Sequence, residues 1–192
     1  MNGMKSQDIV VLLKLVSLQE QEEQALPGQP QWASYGESPY SVRTLETLLG
    51  ISKSEINGAI KRCLSSGLAI KDRQTGRPSP HRRNLHNFIV HGLKFVFPVK
   101  PGAMTRGVPT AFAAPMLKSQ LVSGGEYIYV WPSAQGRDMG QSVEPLFKSV
   151  PDAVQQDERL YEYLALVDAI RLGNQREAGL AGDRLSERLH AK

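Results

Sequence analysis

Residues 41–68, SVRTLETLLGISKSEINGAIKRCLSSGL, decide how the first half of this chain folds. Their first part, residues 42–49, places apolar side chains at helical spacing behind Ser41, which is a good helix-capping residue. Gly50 follows directly and is a natural helix terminator. The stretch therefore begins with one short amphipathic helix.

A second helix is predicted over residues 53–66. Ser52 and Glu55 have the spacing of a capping box, in which the hydroxyl accepts from a backbone N–H one turn on and the carboxylate reaches back. Apolar positions at i, i+3, i+4, i+7 and i+8 define its core face: Ile56, Ala59, Ile60, Cys63 and Leu64. The outer face is left to small, polar and basic residues: Ser54, Asn57, Gly58, Lys61 and Arg62.

Two short helices around a glycine-containing turn, the second with a polar outer face, are typical of the helix-turn-helix that places its second helix in the DNA major groove. The segment LETLLGISKSEINGAIKRCLSSGLAIKD resembles the winged helix-turn-helix domains of MarR-type bacterial transcriptional regulators. The resemblance implies a DNA-binding regulator, a repressor, with residues 53–66 as its recognition helix. Two packed helices that serve only the core or a protein contact are the alternative.

In that family a hairpin called the wing follows the second helix and touches the DNA backbone or minor groove. Here residues 69–71 are predicted to form a strand and residues 72–80 a turn. Because Pro78 and Pro80 cannot donate ladder hydrogen bonds, we expect a loop with only one good strand.

The predicted DNA-contacting residues fall in two groups. The first lies on the second helix and would enter the major groove: Lys53, Ser54, Asn57, Lys61 and Arg62. The second lies beyond it and would contact phosphates, although solvated side chains are the alternative for any one member: Arg73, Arg77, Arg82 and Arg83.

The charge distribution supports a nucleic-acid partner. Residues 43–83 hold nine Lys or Arg and three acidic residues, 9 − 3 = +6, whereas the rest of the chain sums to 4 − 6 = −2. Positive charge is thus gathered where phosphates would be met. We therefore expect double-stranded DNA as the partner.

At 192 residues with 41% hydrophobic and 22% charged residues, the composition is that of an ordinary soluble globular protein. The single cysteine, Cys63, lies on a predicted core face, so a buried thiol in a reducing cytoplasm is expected. The apolar run at residues 9–13 is interrupted by Lys14, which argues against a signal peptide or membrane span. A cytoplasmic protein without membrane contact is predicted.

In the N-terminal segment Ser6 is predicted to cap a helix that runs to about residue 24 and whose apolar side chains surround it instead of forming one stripe. Such a helix must be buried on more than one side. One side would pack on the helix-turn-helix, and the other would contact a partner subunit in a homodimer or the C-terminal region of the same chain.

Residues 25–40 read as a loop, whose aromatic side chains are expected to fold back onto the domain: Trp32, Tyr35 and Tyr40.

Overall we predict an α+β, mostly helical fold, with a winged helix-turn-helix domain at 1–92 and an α/β extension at 93–192 ending in two helices. Within it, residues 82–91 read as a helix and residues 93–99 and 126–131 as strands, and the Gly- and Pro-rich residues 101–115 and 133–152 as loops. The terminal helices are placed at 156–172 and 174–189. The narrow apolar seam of the last one suits dimerisation, a protein partner, or packing on its own domain.

This second half also resembles a family of uncharacterised bacterial helix-turn-helix proteins, through HGLKFVFPVKPGAMTRGVPTAFAAP and LYEYLALVDAIRLGNQREAGLA. The resemblance implies a regulator encoded beside a nucleotidyltransferase-type toxin or defence gene, acting as an antitoxin or as the repressor of that locus. A protein-interaction module that docks such an enzyme is therefore one alternative. RNA binding, with bases stacked on Tyr127, Tyr129 and Trp131, is another.

No catalytic constellation is present in the sequence. The four histidines have neither HExxH nor zinc-finger spacing, and no nucleophile elbow, phosphate loop, dinucleotide fingerprint or paired carboxylates occur. We therefore predict no enzymatic activity, no metal and no cofactor.

Overall fold

The computed structural model of the protein describes residues 3–25 and 36–190, so Trp32 and Tyr35 lie outside the described part of the chain. The predicted α+β, mostly helical class is confirmed. The chain divides into two compact units, Met1–His81 and Arg82–Lys192. The sequence-based boundary followed residue 92, whereas the helix at 82–91 belongs to the second unit. Within the described ranges, no helix combines the length and apolarity needed to cross a bilayer.

The first unit begins with helix α1 (Ser6–Gln24), which starts one residue earlier than predicted because its cap is Lys5. The Lys5 N–H donates to the Asp8 carboxylate at 2.9 Å. Residues 7–18 are all buried within the single chain, which confirms burial on every side of the helix. Helix α1 therefore leaves no apolar face open for the partner subunit that its sequence suggested.

Two short helices follow at the predicted positions, α2 (Val42–Leu49) and α3 (Lys53–Ser66). Ser41 and Ser52 cap them, each accepting from a backbone N–H three residues on, at 3.1 and 3.4 Å. Gly50 turns the chain between them with φ of +65°, a conformation that glycine adopts without steric cost. Local signals in the sequence therefore place both helices.

Only half of the predicted capping box at the start of α3 forms. Ser52 accepts from the Glu55 N–H as expected. The Glu55 carboxylate, however, accepts from Gln7 of α1 and from Lys5, the residue that caps α1. These hydrogen bonds hold the pKa of Glu55 below its usual value, and the one from Gln7 has the largest effect. The side chain thus joins α3 to the start of α1.

The first unit ends in an antiparallel hairpin of two strands, β1 (Ala69–Lys71) and β2 (Pro78–Pro80). The prediction of a single strand was therefore wrong. The His81 N–H donates to the Leu68 carbonyl at 2.8 Å, and ladder bonds recur at every second residue from there. Pro78 and Pro80 occupy the intervening positions, whose nitrogens point away from β1, so no ladder bond is lost.

The second unit opens with helices α4 (Arg82–His91) and α5 (Leu93–Val96). The predicted strand at 93–99 was wrong, because this run is not buried. Leu93 alone of the α5 residues is buried, whereas Phe95 and Val96 are exposed. An apolar run predicts a buried strand only where both faces are covered.

Three strands form a small closed barrel: β3 (Met104–Thr110), β4 (Tyr129–Pro132) and β5 (Asp138–Ser142). Strand β3 pairs antiparallel with both others, and β4 and β5 pair in parallel. Strands β3 and β5 lie in segments predicted to be loops, and β4 begins later than predicted. Pairing between distant segments has overridden the weak strand propensity of their Gly- and Pro-rich sequences.

Three further α-helices belong to the second unit: α6 (Val150–Ala153), α7 (Glu158–Leu172) and α8 (Gln175–His190). The predicted Asn174 and Glu177 pair caps α8, with the Glu177 N–H donating to the Asn174 side chain at 2.9 Å. Helix α8 packs on α4 and α7 of its own unit. Of the predicted α8 seam, Ala181, Leu185 and Leu189 are buried there and Ala178 is half-buried. The seam is thus not available for dimerisation.

A buried carboxylate joins the barrel to α7. Asp168 accepts from Thr110 Oγ1 and Trp131 Nε1, both at 2.7 Å, and from Arg171 Nη2 at 2.8 Å. All four side chains are almost fully buried. Trp131 is therefore a core residue, and the predicted RNA-stacking surface that included it does not form.

Gly107 makes closure of the barrel possible, because a Cβ there would lie 2.1 Å from the Trp131 carbonyl oxygen. We expect Gly107→Ala to lower the free energy of unfolding by about 1–3 kcal/mol, and by more if the strands must separate. Gly124→Ala is the matched control, since a Cβ there meets no atom within 4 Å. Urea unfolding followed by Trp fluorescence measures both. Equal midpoints for the two variants would contradict this account of the barrel.

Candidate nucleic-acid interface

The outward side of α3 carries exposed polar side chains, while Ile60 and Leu64, which the sequence assigned to the core face, are only half-buried. The exposed side chains are those of Lys53, Ser54, Asn57 and Lys61. On the opposite side of the helix, Ile56, Ala59 and Cys63 are buried. The structure thus brings four of the five predicted helix residues together on one surface. We call these four residues the α3 face.

The two lysines of the α3 face differ in how they are held. Glu46 of α2 accepts from the Lys53 backbone N–H at 3.3 Å and lies 3.8 Å from the Lys53 ammonium. Lys61 makes no ion pair with any described residue. Lys53 is therefore partly neutralised by its own domain, whereas Lys61 presents an uncompensated charge.

Arg62, the fifth predicted residue, points inward. Its Nε and Nη2 donate to the two oxygens of Asp8 at 2.8 and 2.7 Å, and the side chains are 15% and 0% exposed. This bidentate hydrogen bonding, more than any other influence, raises the pKa of the guanidinium. Arg62 joins α3 to α1 and is not placed to meet DNA.

Cys63 lies beside this ion pair and is buried, as predicted. Burial, and after it the nearby charge of Asp8, raises the pKa of the thiol to about 12. The thiol is therefore protonated at neutral pH and serves as a small apolar core group.

The hairpin turn after β1 is shaped by one carboxylate. Asp72 accepts from the backbone N–H groups of Gln74 and Thr75 and from the Thr75 hydroxyl, at 2.7–3.0 Å. The Thr75 hydrogen bonds are the main cause of a lowered Asp72 pKa. The turn places Arg73 in solvent, where it makes no ion pair with a described residue.

Arg77, at the far side of the turn, folds back onto its own domain. Its guanidinium carbon lies 4.2 Å from the centre of the Tyr40 ring, and its Nη2 lies 3.8 Å from Glu22. The Tyr40 hydroxyl donates to the same carboxylate at 2.7 Å. We call these three residues the hairpin anchor, because they tie the return strand to the end of α1. Burial, and then the Glu22 hydrogen bond, raises the pKa of Tyr40.

The last two predicted residues belong to the second unit. Arg82 begins α4 and donates to the Leu189 carbonyl at 3.3 Å, while Arg83 is exposed. They are thus not part of the surface formed by α3 and the hairpin within the first unit.

The first unit holds nine basic and eight acidic residues, 9 − 8 = +1. The +6 of residues 43–83 falls by two because Arg82 and Arg83 belong to the second unit, and by three through the net charge of residues 1–42, 6 − 2 − 3 = +1. Acidic side chains that pair with its cations include Asp8, Glu22, Glu37, Glu46 and Glu55. On the surface formed by α3 and the β1–β2 hairpin, three cations make no ion pair with a described residue: Lys61, Lys71 and Arg73. Sequence reasoning did not single out Lys71, although it ends β1 beside the turn.

No protein-family model, characterised protein or solved structure shows significant similarity to the chain. In addition, no group of three or more His, Cys, Asp or Glu within residues 3–25 and 36–190 is arranged to hold a metal ion.

Arg62 and its neighbour Lys61 make a matched pair for testing the inward role of Arg62. We expect Arg62→Ala to lower the free energy of unfolding by about 3–5 kcal/mol, because it leaves the buried Asp8 carboxylate without its partner. Lys61→Ala, one residue away and exposed, should change it by less than about 0.5 kcal/mol. Urea unfolding followed by circular dichroism distinguishes the two. Similar stabilities would mean that Arg62 has no structural role.

Proposed function

We propose that the first unit is a winged helix-turn-helix that binds double-stranded DNA, with α3 in the major groove and the β1–β2 hairpin as the wing. The observation that carries the proposal is the α3 face, a group of four exposed polar side chains beside a hairpin whose exposed cations have no carboxylate partner among the described residues. A helix with its apolar side in the core and such an outer face fits the major groove.

Within the proposed complex, each α3 side chain has a chemically suitable task. The Asn57 amide can form paired hydrogen bonds with adenine, and the Lys61 ammonium can donate to guanine O6 and N7. Ser54 and Lys53, near the start of the helix, suit contacts with the sugar-phosphate backbone. Asn57 and Lys61 are therefore the proposed sources of sequence specificity.

The electrostatic part of binding would be modest. Each phosphate neutralised contributes about −0.9 to the slope of log K against log salt concentration, so backbone contacts from Lys53, Lys71 and Arg73 together give a slope of about −3. Strong non-specific binding is thus not expected, and base contacts must supply much of the affinity. In the cell such binding at a promoter would repress transcription, which remains a proposal, as does the cytoplasmic location.

Selection of sites from random duplex DNA, followed by fluorescence anisotropy, tests the function. We expect Asn57→Ala and Lys61→Ala each to cost about 1–3 kcal/mol at the selected site and to relax its sequence preference. Lys148→Ala, which removes an exposed cation of the second unit, is the matched control and should bind as the unchanged protein does. Failure to enrich any sequence, or salt-independent binding, would overturn the proposal.

The two wing arginines should respond differently. Arg73→Ala removes a phosphate contact, so affinity falls and the salt slope becomes less negative by about 0.9. Arg77→Ala releases the hairpin anchor, so affinity falls while the slope is unchanged. Anisotropy titrations at several NaCl concentrations measure both, with Lys148→Ala as the control that removes an exposed cation of the second unit. A slope change for Arg77→Ala equal to that of Arg73→Ala would place Arg77 on the DNA.

A protein-interaction role for the second unit is the other candidate. Among the described residues, all but one of the exposed large apolar side chains lie in that unit. This distribution favours a division of labour in which the first unit binds DNA and the second binds protein. A toxin or defence enzyme as the partner stays a prediction from the sequence.

A further inference from the structure

Two apolar side chains of α3 lie at the edge of the α3 face. Ile60 and Leu64 are half-buried, whereas the core residues of the same helix are fully buried: Ile56, Ala59 and Cys63. Part of each half-buried side chain therefore remains in contact with solvent. We call Ile60 and Leu64 the apolar edge.

The ion pair between Arg62 and Asp8 explains why the apolar edge is turned outward. At 3.6 residues per turn, Ile60 and Leu64 each lie about 160° round the helix from Arg62, which is nearly the opposite side. Arg62 is held against α1 by its two hydrogen bonds to Asp8. Because these bonds fix Arg62 inward, the opposite side of α3 is turned toward solvent, and the apolar edge with it.

The apolar edge adjoins the two side chains that are proposed to contact bases. Asn57, Ile60, Lys61 and Leu64 have the i, i+3, i+4, i+7 spacing of residues that share one side of a helix. Ile60 lies about one turn beyond Asn57, and Leu64 about one turn beyond Ile60. We therefore expect a groove that receives Asn57 and Lys61 to receive the apolar edge as well.

The DNA major groove offers one apolar group that such side chains can contact. Guanine, adenine and cytosine present hydrogen-bond donors and acceptors there, whereas thymine adds its C5 methyl group. Contact with that methyl group removes apolar surface of both partners from water. Against a G·C pair the same side chain would cover polar groups without bonding them, which is unfavourable. The apolar edge therefore favours thymine.

Partial burial also holds the apolar edge in position before DNA arrives. Ile60 is β-branched, and such a side chain has one strongly preferred rotamer in a helix. The buried part of each side chain already packs within the protein, so little rotamer freedom is left to lose on binding. Both side chains are thus suited to a contact that depends on shape.

We propose that Ile60 and Leu64 contact the C5 methyl group of thymine and are specificity-determining residues of α3. The inference rests on the proposed DNA-binding function and names part of the base sequence that it would recognise. Leu64 lies about 10.5 Å along the helix from Asn57, and successive base pairs are about 3.4 Å apart. The thymine should therefore lie within about three base pairs of the position that Asn57 contacts.

Deoxyuridine in place of thymidine tests the contact, because it removes only the methyl group and keeps the base pair. The probe is the duplex selected by the unchanged protein, with each thymidine replaced in turn. The position that Asn57 contacts is the one whose preference Asn57→Ala relaxes. Within about three base pairs of it, one or more replacements should lower the affinity about threefold to fivefold, the effect of leaving one methyl group exposed. Fluorescence anisotropy measures the affinities.

Ile60→Ala and Leu64→Ala identify the side chain that makes the contact. Each variant should bind the thymidine duplex more weakly and should no longer distinguish it from deoxyuridine at the thymine that its side chain contacts. Val122→Ala is the matched control, because it shortens an exposed apolar side chain of the second unit and should keep the full preference. Circular dichroism checks that the variants are folded, and the deoxyuridine measurement on the unchanged protein requires no variant.

Two results would overturn the inference while the DNA-binding proposal stands. The first is a selected sequence in which no thymine near the Asn57 position responds to deoxyuridine. The second is a methyl effect that persists in both Ile60→Ala and Leu64→Ala, because a different side chain must then contact the methyl group. Failure to enrich any sequence would instead refute the DNA-binding proposal itself, and this inference would fall with it.

Discussion

The buried ion pair between Asp8 and Arg62 holds the first unit in its arrangement. A charge taken out of water is tolerated only when it is paired and hydrogen-bonded, and Asp8 meets this condition by accepting from Arg62 and from the Lys5 N–H. The requirement fixes the rotation of α3 about its own axis relative to α1. With Arg62 turned inward, Asn57 and Lys61 face solvent. A structural arginine thus determines which side chains α3 exposes.

The two units use buried charge in comparable ways. In the second unit Asp168 gathers Thr110 and Trp131 of the barrel and Arg171 of α7 around one carboxylate. Such networks stabilise little when complete but cost much when one member is lost, so they specify one arrangement of elements over others.

Local signals explain what could be predicted from the sequence. Caps, helical periodicity and glycine terminators act within a few residues, so α2, α3, α7 and α8 were placed nearly correctly. Arg62 was misassigned because its partner Asp8 lies 54 residues away, and no local pattern indicates such a pair. Strand β3 was missed for the same reason, since its partners β4 and β5 follow much later in the chain. The +6 charge of residues 43–83 likewise overestimated the positive charge of the first unit, because it left out the carboxylates that other segments contribute.

The two prolines of β2 have a consequence for solubility. A two-stranded sheet leaves the outer edge of each strand unpaired, and an unpaired edge with N–H donors is a template on which another chain can form a strand. In β2 the outward-pointing nitrogens belong to Pro78 and Pro80, which have no hydrogen to donate. The residues that seemed to weaken this hairpin therefore protect it from intermolecular strand pairing and aggregation.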